Sequence, residues 1–392
     1  MTSVEPDAAP HISSGGDAHP LTAEGLPRDE DRAPGAPSPA EAARAPKRWV
    51  PRQVLITPAA REWEHGRAIA ERAAALGSDV VELPTNRLTG LRGADPRETY
   101  RLAKSTLGIV VAPPTKLKLQ PIPPSADWRV DLAEGCPAHC QYCYLAGSLQ
   151  GPPVTRVYAN LPETLGVLPG YLGKRTLKRQ HEGTTFEASC YTDPLGIEHL
   201  SGSLAETIRA FGAWDADVGL RWTTKYDAVG PLLDLPHGGR TRVRFSVNAE
   251  PVAARYEGGT ARVDERLGAL RQLALAGYRV GLTVAPVMPV QCWLEAYDDL
   301  FVRAARAVAG VPGLDLTVEC ITHRFTPGSK EVLQGWYPRT RLEMDEASRS
   351  AKTNKFGGRK YVYRKPVMDE LKAAVEQMVE AHLTQADMLY WT

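Results

Sequence analysis

The chain has 392 residues, of which 43% are hydrophobic and 24% are charged, and its formal net charge is +1. This length can hold two or three average domains, or one barrel-sized domain with additions. No apolar run approaches the roughly 20 residues that a membrane-spanning helix needs, and the N-terminus lacks a secretory signal pattern. We therefore expect a cytoplasmic protein with no membrane partner. The sequence does not fix the oligomeric state, for which a monomer is the simplest expectation.

Residues 1–47 are predicted to be a disordered tail. They contain eight acidic and four basic residues, eight prolines and no Phe, Trp or Tyr. A segment of this composition cannot bury enough apolar surface to offset the entropy that it would lose on ordering. The folded part of the chain is therefore expected to begin near Trp49.

Residues 48–125 are predicted to form a small N-terminal α/β unit with a proline-rich connector at its end. Val54–Thr57 and Asp79–Leu83 have the apolar character of strands, and residues 59–76 between them have a helical pattern. Together these segments make a βαβ-like unit. The prolines that follow indicate a connector and not another regular element.

Residues 126–392 are predicted to form an α/β domain in which strands and helices alternate. Such alternation is typical of a parallel sheet with right-handed crossovers, and six units make a partial (β/α)6 barrel. The catalytic groups of a barrel lie at the carboxyl ends of its strands. A helix over Val367–Leu383 is expected to close the domain. The predicted strands are Arg129–Leu132, Thr185–Cys190, Leu220–Lys225, Val243–Asn248, Arg279–Ala285 and Leu316–His323, and the helices include Leu200–Trp214, Val263–Ala276 and Tyr297–Val308.

The loop after the first barrel strand carries three cysteines, Cys136, Cys140 and Cys143, with the spacing C-x3-C-x2-C. Three thiolates on one short loop can bind three irons of a [4Fe–4S] cluster and leave the fourth iron open to a ligand. This is the arrangement of radical S-adenosylmethionine (AdoMet) enzymes, in which the open iron binds AdoMet. The alternatives are a zinc site with His139 as a fourth ligand, and cysteines that are inert or disulfide-bonded.

Cys190 is a second candidate, because it ends a predicted strand and should point into the barrel mouth. Its S–H bond is weak enough to give a hydrogen atom to a carbon radical. A free cysteine is also common as a small buried hydrophobic residue. Both interpretations stay open on the residues alone.

From about Trp49 to the C-terminus, the chain resembles the spore photoproduct lyase family of radical AdoMet DNA repair enzymes. The resemblance implies a partial radical AdoMet barrel, a carbon–carbon lyase activity, and a [4Fe–4S] cluster and AdoMet as cofactors. It rests on rare strings that occur in the same order: the tyrosines on either side of Cys143, Phe186–Cys190, Gly196–Leu200, Arg244–Asn248, Val284–Pro286, Glu319–Thr326, Tyr337–Leu342 and Lys360–Tyr363.

The resemblance implies repair of spore photoproduct, 5-thyminyl-5,6-dihydrothymine, to two thymines in DNA. A 5′-deoxyadenosyl radical would remove a hydrogen atom from C6 of the lesion, and the bond that joins the thymines would break. Cys190 would give a hydrogen atom to the resulting thymine radical. Tyr142 and Tyr144 would relay a hydrogen atom back, so that AdoMet is regenerated. The electron that starts the reaction would come from a donor of the flavodoxin or ferredoxin type.

Five residues are candidates for binding AdoMet, and the resemblance supports them. Lys225 closes a strand and could pair with the carboxylate of AdoMet as a point charge. Ser246 and Asn248 point the same way by strand alternation and could bond the ribose or the amino group. Ala285 is small enough to let the backbone approach the adenine. Thr192 stands where the family has a serine, and it keeps the hydroxyl.

Arg349–Pro366 is predicted to contact DNA. It contains seven Lys or Arg residues, no acidic residue and three aromatic residues. Basic side chains beside rings suit phosphate contact and base stacking, although a solvated loop is the alternative. Lys355-Phe356 stands where the family has Arg-Tyr, so a bidentate fork and a hydroxyl are lost. The candidate DNA contacts are Lys355, Phe356, Arg359, Lys360 and Tyr361.

C6 of the lesion is shielded in a stacked duplex, so we expect the damaged dinucleotide to be flipped into the barrel mouth. Two other functions stay open. One is a related radical AdoMet enzyme that acts on a different nucleic acid or on a small molecule. The difference between Lys355-Phe356 and the Arg-Tyr of the family is compatible with this function. The other is a non-enzymatic iron–sulfur or DNA-binding protein, which Cys190 in its familial surroundings disfavours because a binder needs no hydrogen donor.

Overall fold

The computed structural model describes residues 48–148, 151–174, 176, 183–188, 190–353 and 358–392, and the predicted tail lies outside them. The cysteine loop (residues 134–144) falls among the elements up to residue 166. They are β1 (Gln53–Ile56), α1 (Pro58–Arg61), α2 (Glu64–Ala75), β2 (Asp79–Glu82), α3 (Pro96–Lys104), β3 (Thr106–Val110), β4 (Gln120–Ile122), β5 (Ala126–Val130), β6 (Ala133–Glu134), β7 (His139–Cys140), β8 (Thr155–Tyr158) and α4 (Leu161–Gly166).

The remaining elements alternate between strand and helix over most of their length. They are β9 (Thr184–Ala188), α5 (Glu198–Ser201), α6 (Ser203–Ala213), β10 (Val218–Thr224), β11 (Thr241–Val247), α7 (Glu250–Tyr256), β12 (Glu257–Gly258), α8 (Val263–Leu275), β13 (Arg279–Val287), α9 (Trp293–Val308), β14 (Leu316–Thr322), α10 (Pro327–Trp336), β15 (Arg349–Thr353), β16 (Arg359–Tyr363), α11 (Lys365–His382) and β17 (Ala386–Trp391).

The N-terminal strands form a five-stranded sheet in the order β2-β1-β3-β8-β6. The parallel pairs β1–β2 and β1–β3 contain the predicted βαβ-like unit, with α2 between the first two strands. β8 and β6 come from the chain on either side of the cysteine loop and extend this sheet. The cysteine loop is thus tied into the N-terminal sheet through the strand that precedes it.

The second sheet is the predicted partial barrel. Its order is β17-β14-β13-β11-β10-β9-β5-β4, and β5, β9, β10, β11, β13 and β14 are parallel neighbours in chain order. All six predicted barrel strands are confirmed, with small shifts at their ends. Every residue of β11 is buried, as expected for a central strand that is covered on both faces.

Helices α6 and α8 pack against this sheet, and α9 packs against α8. In α9 the buried side chains Tyr297, Phe301, Ala304 and Val308 recur at intervals of three or four residues. The closing helix α11 was predicted, but β17 after it was not. β17 pairs in parallel with β14 and extends the sheet by one strand beyond the six.

A buried ionic network joins the strands inside the barrel. Arg244 Nη1 lies 2.8 Å from Glu319 Oε2, and Arg244 also pairs with Glu187. Arg221 forms a second ion pair with Glu319. Burial would raise the pKa of Glu319, but the two guanidinium groups lower it. Removing one partner of such a network leaves an uncompensated buried charge, which costs several kcal/mol, so the network fixes the relative positions of these strands.

Within the described part of the chain, every helix is too short or too polar to cross a lipid bilayer.

Candidate active site

The cysteine loop is held in place by backbone contacts on both sides. β7, which contains Cys140, pairs antiparallel with β12, so Glu257 lies directly opposite Cys140. Cys143 is the N-cap residue of a short 3-10 helix over Tyr144–Gly147. Gly135 has a φ of 74°, and a Cβ atom there would lie 2.3 Å from the carbonyl oxygen of Val154. The turn that leads into the loop therefore requires glycine.

Lys104 of α3 supports the same loop from the N-terminal side. Its buried ammonium donates hydrogen bonds to the carbonyl oxygens of Cys136 and Ala138. No sequence pattern pointed to this lysine, because it lies 32 residues before Cys136. Its charge also acts on the thiols: burial raises the pKa of Cys136 to about 12, and Lys104 opposes that increase.

The three thiols fit the donor set of an iron–sulfur cluster. None of the six cysteines is in a disulfide, and Cys136, Cys140 and Cys143 share one loop. Among the residues that the structure describes, no three His, Cys, Asp or Glu side chains converge as the ligands of a single metal ion would. Thiolates of a cubane bind different irons, so they need not converge on one point. Binding of iron displaces the thiol protons, because a coordinated thiol is deprotonated.

Four of the predicted site residues meet around the ammonium of Lys225. Its Nζ lies 2.8 Å from Ser246 Oγ, 3.5 Å from the carbonyl oxygen of Ala285 and 5.6 Å from the ring centre of Tyr142. These residues come from the ends of β10, β11 and β13 and from the cysteine loop. The carboxyl ends of neighbouring parallel strands therefore bring the cation and the hydroxyl together beside the cysteine loop.

Glu257 is a site residue that the sequence interpretation missed. Its Oε1 accepts a hydrogen bond from Lys225 Nζ at 2.9 Å and another from the Tyr142 hydroxyl. Its Oε2 lies 2.6 Å from Nη1 of the buried Arg266. Burial alone would raise the pKa of Glu257, but Lys225 and Arg266 lower it to about 2. Glu257 is therefore ionised and fixes both the ammonium and the phenol.

Cys190 lies just beyond the end of β9 and next to the cysteine loop. The hydroxyl of Tyr144, the residue after Cys143, donates a hydrogen bond to the Cys190 carbonyl oxygen. As a whole residue, Tyr144 is 59% exposed. Burial, reinforced by Asp131, raises the pKa of Cys190, so the group is a thiol at neutral pH. A thiol, and not a thiolate, can donate a hydrogen atom.

The residues after Cys190 are tied to the end of β10. Asp193 accepts hydrogen bonds from the Lys225 backbone N–H at 2.6 Å and from the Thr224 hydroxyl at 2.8 Å. This contact fixes the Cys190 segment relative to Lys225. Thr192 Oγ1 is buried, and no described residue gives it a hydrogen-bond partner. An unpaired buried hydroxyl is a natural partner for a bound ligand.

Asn248 differs from the other predicted AdoMet contacts because its side chain is 0% exposed. Its Nδ2 donates to the carbonyl oxygen of Pro286 at 2.8 Å, and its Oδ1 accepts from the hydroxyl of Tyr297, also at 2.8 Å. These bonds hold the end of β11 against the end of β13. In this arrangement Asn248 supports the site, and direct contact with AdoMet stays a prediction.

The predicted DNA-contacting segment is an antiparallel hairpin of β15 and β16. Lys355 and Phe356 lie outside the described residues. Arg359 is exposed and Lys360 is half-buried. Tyr361 is only 7% exposed and stacks on Phe325 at 5.4 Å between ring centres, so it anchors the hairpin to the chain after β14.

The base of the hairpin is fixed by Arg349. Its guanidinium lies 3.7 Å from the ring centre of Tyr363 and donates a hydrogen bond to the His323 carbonyl oxygen at 3.1 Å. It also pairs with Glu343. The arginine is buried, so it holds the hairpin in place and is not available to a phosphate.

A parallel partial barrel, with a three-cysteine loop beside the carboxyl ends of its strands, defines the radical AdoMet class of enzymes. Comparison with known proteins identifies the family within this class. A family model described as spore photoproduct lyase matches residues 49–392. The chain belongs to the spore photoproduct lyase family.

The curated relatives cover almost the same part of the chain. Spore photoproduct lyase of Geobacillus sp. (strain Y412MC61) is 39% identical, over 88% of this chain and 100% of the relative. That of Bacillus subtilis (strain 168) is 37% identical, over 88% of this chain and 99% of the relative. A solved structure of a spore photoproduct lyase variant with bound AdoMet and dinucleoside spore photoproduct superposes with a TM-score of 0.82, at 39% identity and with 88% of this chain and 100% of that one covered.

Proposed function

We propose that this chain is a radical AdoMet lyase that repairs spore photoproduct in DNA to two thymines. The observation that carries the proposal is the hydrogen bond from Tyr144 to the backbone of Cys190. Tyr144 directly follows Cys143, so this bond joins the cysteine loop to the candidate hydrogen donor. Membership in the spore photoproduct lyase family supports the same reaction. We also place the protein in the cytoplasm, where reducing conditions suit thiolate-bound iron.

Cys136, Cys140 and Cys143 would hold a [4Fe–4S] cluster, and Lys225, Ser246, Ala285 and Thr192 would surround AdoMet. When bound, the cluster and AdoMet supply a 5′-deoxyadenosyl radical that removes a hydrogen atom from C6 of the lesion. Lys225 would pair with the AdoMet carboxylate while Glu257 fixes its position. The role of the protein here is to orient a charged ligand next to its thiolates.

Cys190 would complete the repair. After the bond between the two thymines breaks, one thymine carries an unpaired electron on its methylene carbon. The Cys190 S–H bond breaks, a C–H bond forms on that carbon, and the sulfur keeps the unpaired electron. The sulfur would then regain a hydrogen atom. This hydrogen atom would come from the methyl group of 5′-deoxyadenosine and would be relayed through Tyr142 and then Tyr144. The Cys190 thiol is thereby restored, and AdoMet would be regenerated with return of one electron, so that it is not consumed.

The hairpin would hold the damaged DNA at the barrel mouth. Arg359 and Lys360 are the described basic residues that suit phosphate contact, whereas Tyr361 and Arg349 keep the hairpin attached to the barrel. A damaged step is already weakly stacked, so flipping it costs less than flipping an intact one. That difference supplies part of the selectivity for the lesion.

The test is a repair assay under anaerobic conditions. Reconstituted protein is mixed with AdoMet, dithionite and an oligonucleotide that carries a single spore photoproduct, and the products are separated by liquid chromatography and mass spectrometry. We expect restored thymines with no net loss of AdoMet. Formation of 5′-deoxyadenosine without repair would contradict the proposal in favour of another substrate. Absence of both repair and 5′-deoxyadenosine would contradict radical AdoMet chemistry altogether.

A further inference from the structure

The cysteine loop forms one wall of a surface cavity of about 880 Å³. The loop contributes His139 and Gln141, α3 contributes a second wall, and the end of α10 with the residues after it contributes a third. The familial string Tyr337–Leu342 supplies Tyr337, Pro338, Arg339 and Thr340 to this third wall. Neither the AdoMet site nor the DNA hairpin uses these residues.

The lining of this cavity is strongly basic. It contains five Lys or Arg residues against two acidic residues. Both acids serve α3 itself: Asp95 caps its first turn, and Glu98 accepts a hydrogen bond from the Ala94 backbone N–H at 2.7 Å. The exposed arginines have no described carboxylate within ion-pair distance, apart from Arg101, which lies 3.8 Å from Glu98. The unpaired ones are Arg52, Arg97 and Arg339.

The cavity floor contacts the cysteine loop directly. Lys104, which lines the cavity, donates to the carbonyl oxygens of Cys136 and Ala138. The hydroxyl of Tyr100 shares a hydrogen bond of 2.8 Å with His139 Nδ1, next to Cys140 in the chain. These contacts give two short hydrogen-bonded routes from the surface to the backbone that carries the thiolates.

Aromatic rings complete the floor. The Tyr100 ring packs against Trp336 at 4.9 Å and Tyr337 at 5.2 Å between ring centres. Thr340 Oγ1 donates to Gln141 Oε1 at 2.7 Å, which fixes the wall to the loop. A rigid aromatic floor with a basic rim is typical of a surface that recognises an acidic partner protein.

We propose that this cavity is the docking site of an acidic one-electron carrier protein. The inference rests on the proposed function, because cleavage of AdoMet needs one electron. On transfer, the carrier loses one electron, the cluster that the three thiolates hold gains it, and no bond forms or breaks. The basic residues at the rim of the cavity attract the acidic carrier. The hydrogen bonds of Lys104 and Tyr100 connect the cavity floor, on which the carrier docks, to the cysteine loop.

The position of the cavity favours a protein carrier over DNA. The hairpin is attached beside the start of α10, through backbone bonds between Tyr361 and Phe325, whereas the cavity lies at the other end, at Trp336. Ten residues of helix span about 15 Å, so the two surfaces are separated by the length of α10. The cavity and the hairpin are therefore separate surfaces of the protein.

The test reverses the charge of the three unpaired arginines at the rim of the cavity and leaves the candidate active site unchanged. A control variant reverses three exposed basic residues on the outer helices of the barrel. Reconstituted holoprotein of each kind is mixed with a flavodoxin as the acidic carrier, and the dissociation constant is measured by calorimetry at low and high salt. Reduction of the cluster by the reduced flavodoxin is followed by EPR, and dithionite-driven repair of the lesion-carrying oligonucleotide and the affinity for that oligonucleotide are measured in parallel. The rim variant is Arg52→Glu/Arg97→Glu/Arg339→Glu, and the control is Arg209→Glu/Arg306→Glu/Lys372→Glu.

We expect the rim variant to bind flavodoxin and to be reduced by it at least about tenfold more weakly and slowly than the control. Its dithionite-driven repair of the lesion and its DNA affinity should match those of the control. The milder variant Arg97→Gln/Arg339→Gln should show a smaller loss in the same direction. Unchanged flavodoxin affinity in both variants would overturn the docking site, and so would a loss of DNA affinity instead. Failure of the unaltered protein to repair the lesion with dithionite would instead contradict the proposed function.

Discussion

Replacing Glu257 with glutamine should destabilise the folded chain, because it leaves the Arg266 guanidinium buried without its counter-charge. Both side chains of this ion pair are 1% exposed, and the N–O distance is 2.6 Å. Removing one partner of a buried pair costs about 3–5 kcal/mol. Glutamine keeps the shape of the side chain, and Arg266 keeps hydrogen bonds to the carbonyl oxygens of Ser246 and Ala261. The expected loss is therefore near the lower limit, about 3 kcal/mol.

The assay is urea unfolding of the cluster-free protein, followed by circular dichroism at neutral pH. Glu206→Gln is the matched control, since Glu206 pairs with Arg209 and their side chains are 56% and 46% exposed. An exposed pair contributes less than about 1 kcal/mol. Equal losses in the two variants, or a loss below 1 kcal/mol for Glu257→Gln, would refute the assignment of Glu257 as the buried charge that holds this site together.

Three further substitutions test the site and the hairpin. Cys190→Ala should still cleave AdoMet but divert the thymine radical to adducts, and mass spectrometry of the products checks this; clean repair would remove Cys190 from its role. Lys225→Met should weaken AdoMet binding about 10- to 100-fold by calorimetry, since a hydrogen bond to a charged group contributes about 1.5–3 kcal/mol; unchanged affinity would contradict the pairing. Burial, reinforced by Arg349, lowers the pKa of His323 to about 3, so the unfolded chain binds the proton first as the pH falls below about 6.5. Wild-type stability, measured in urea between pH 7.5 and 5.5, should therefore fall more steeply than that of His323→Gln, by up to about 1.4 kcal/mol per pH unit; parallel slopes would be inconsistent with a neutral buried His323.

The features that depend on short stretches of sequence were predictable. The spacing of Cys136, Cys140 and Cys143 predicts a cluster-binding loop without knowledge of the fold. Strand and helix periodicity predicted the six barrel strands, and strand ends placed Lys225 and Ser246 on one edge of the sheet, where the structure has them 2.8 Å apart. Parallel strands explain this success, because their carboxyl ends meet at the same edge.

Residues that act through long-range pairing were not predictable. Glu257 reaches the site because a two-residue strand pairs with the cysteine loop 117 positions earlier, at Cys140, and so short a strand has no periodicity to read. Lys104 acts from α3, where a lysine at the end of a helix is ordinarily a solvated residue. Tyr361 lies in a segment whose basic and aromatic composition predicted contact with nucleic acid, but its ring stacks on Phe325 and points inward. In each case the contact depends on how distant segments fold together.

The most direct measurement is Mössbauer and EPR spectroscopy of the anaerobically reconstituted protein, before and after addition of AdoMet. The account predicts one [4Fe–4S] cluster in which three irons have thiolate ligands from Cys136, Cys140 and Cys143, and a fourth iron whose signal changes when AdoMet binds. A chain that assembles no such cluster, or one whose four irons are all bound by the protein and do not respond to AdoMet, would contradict it.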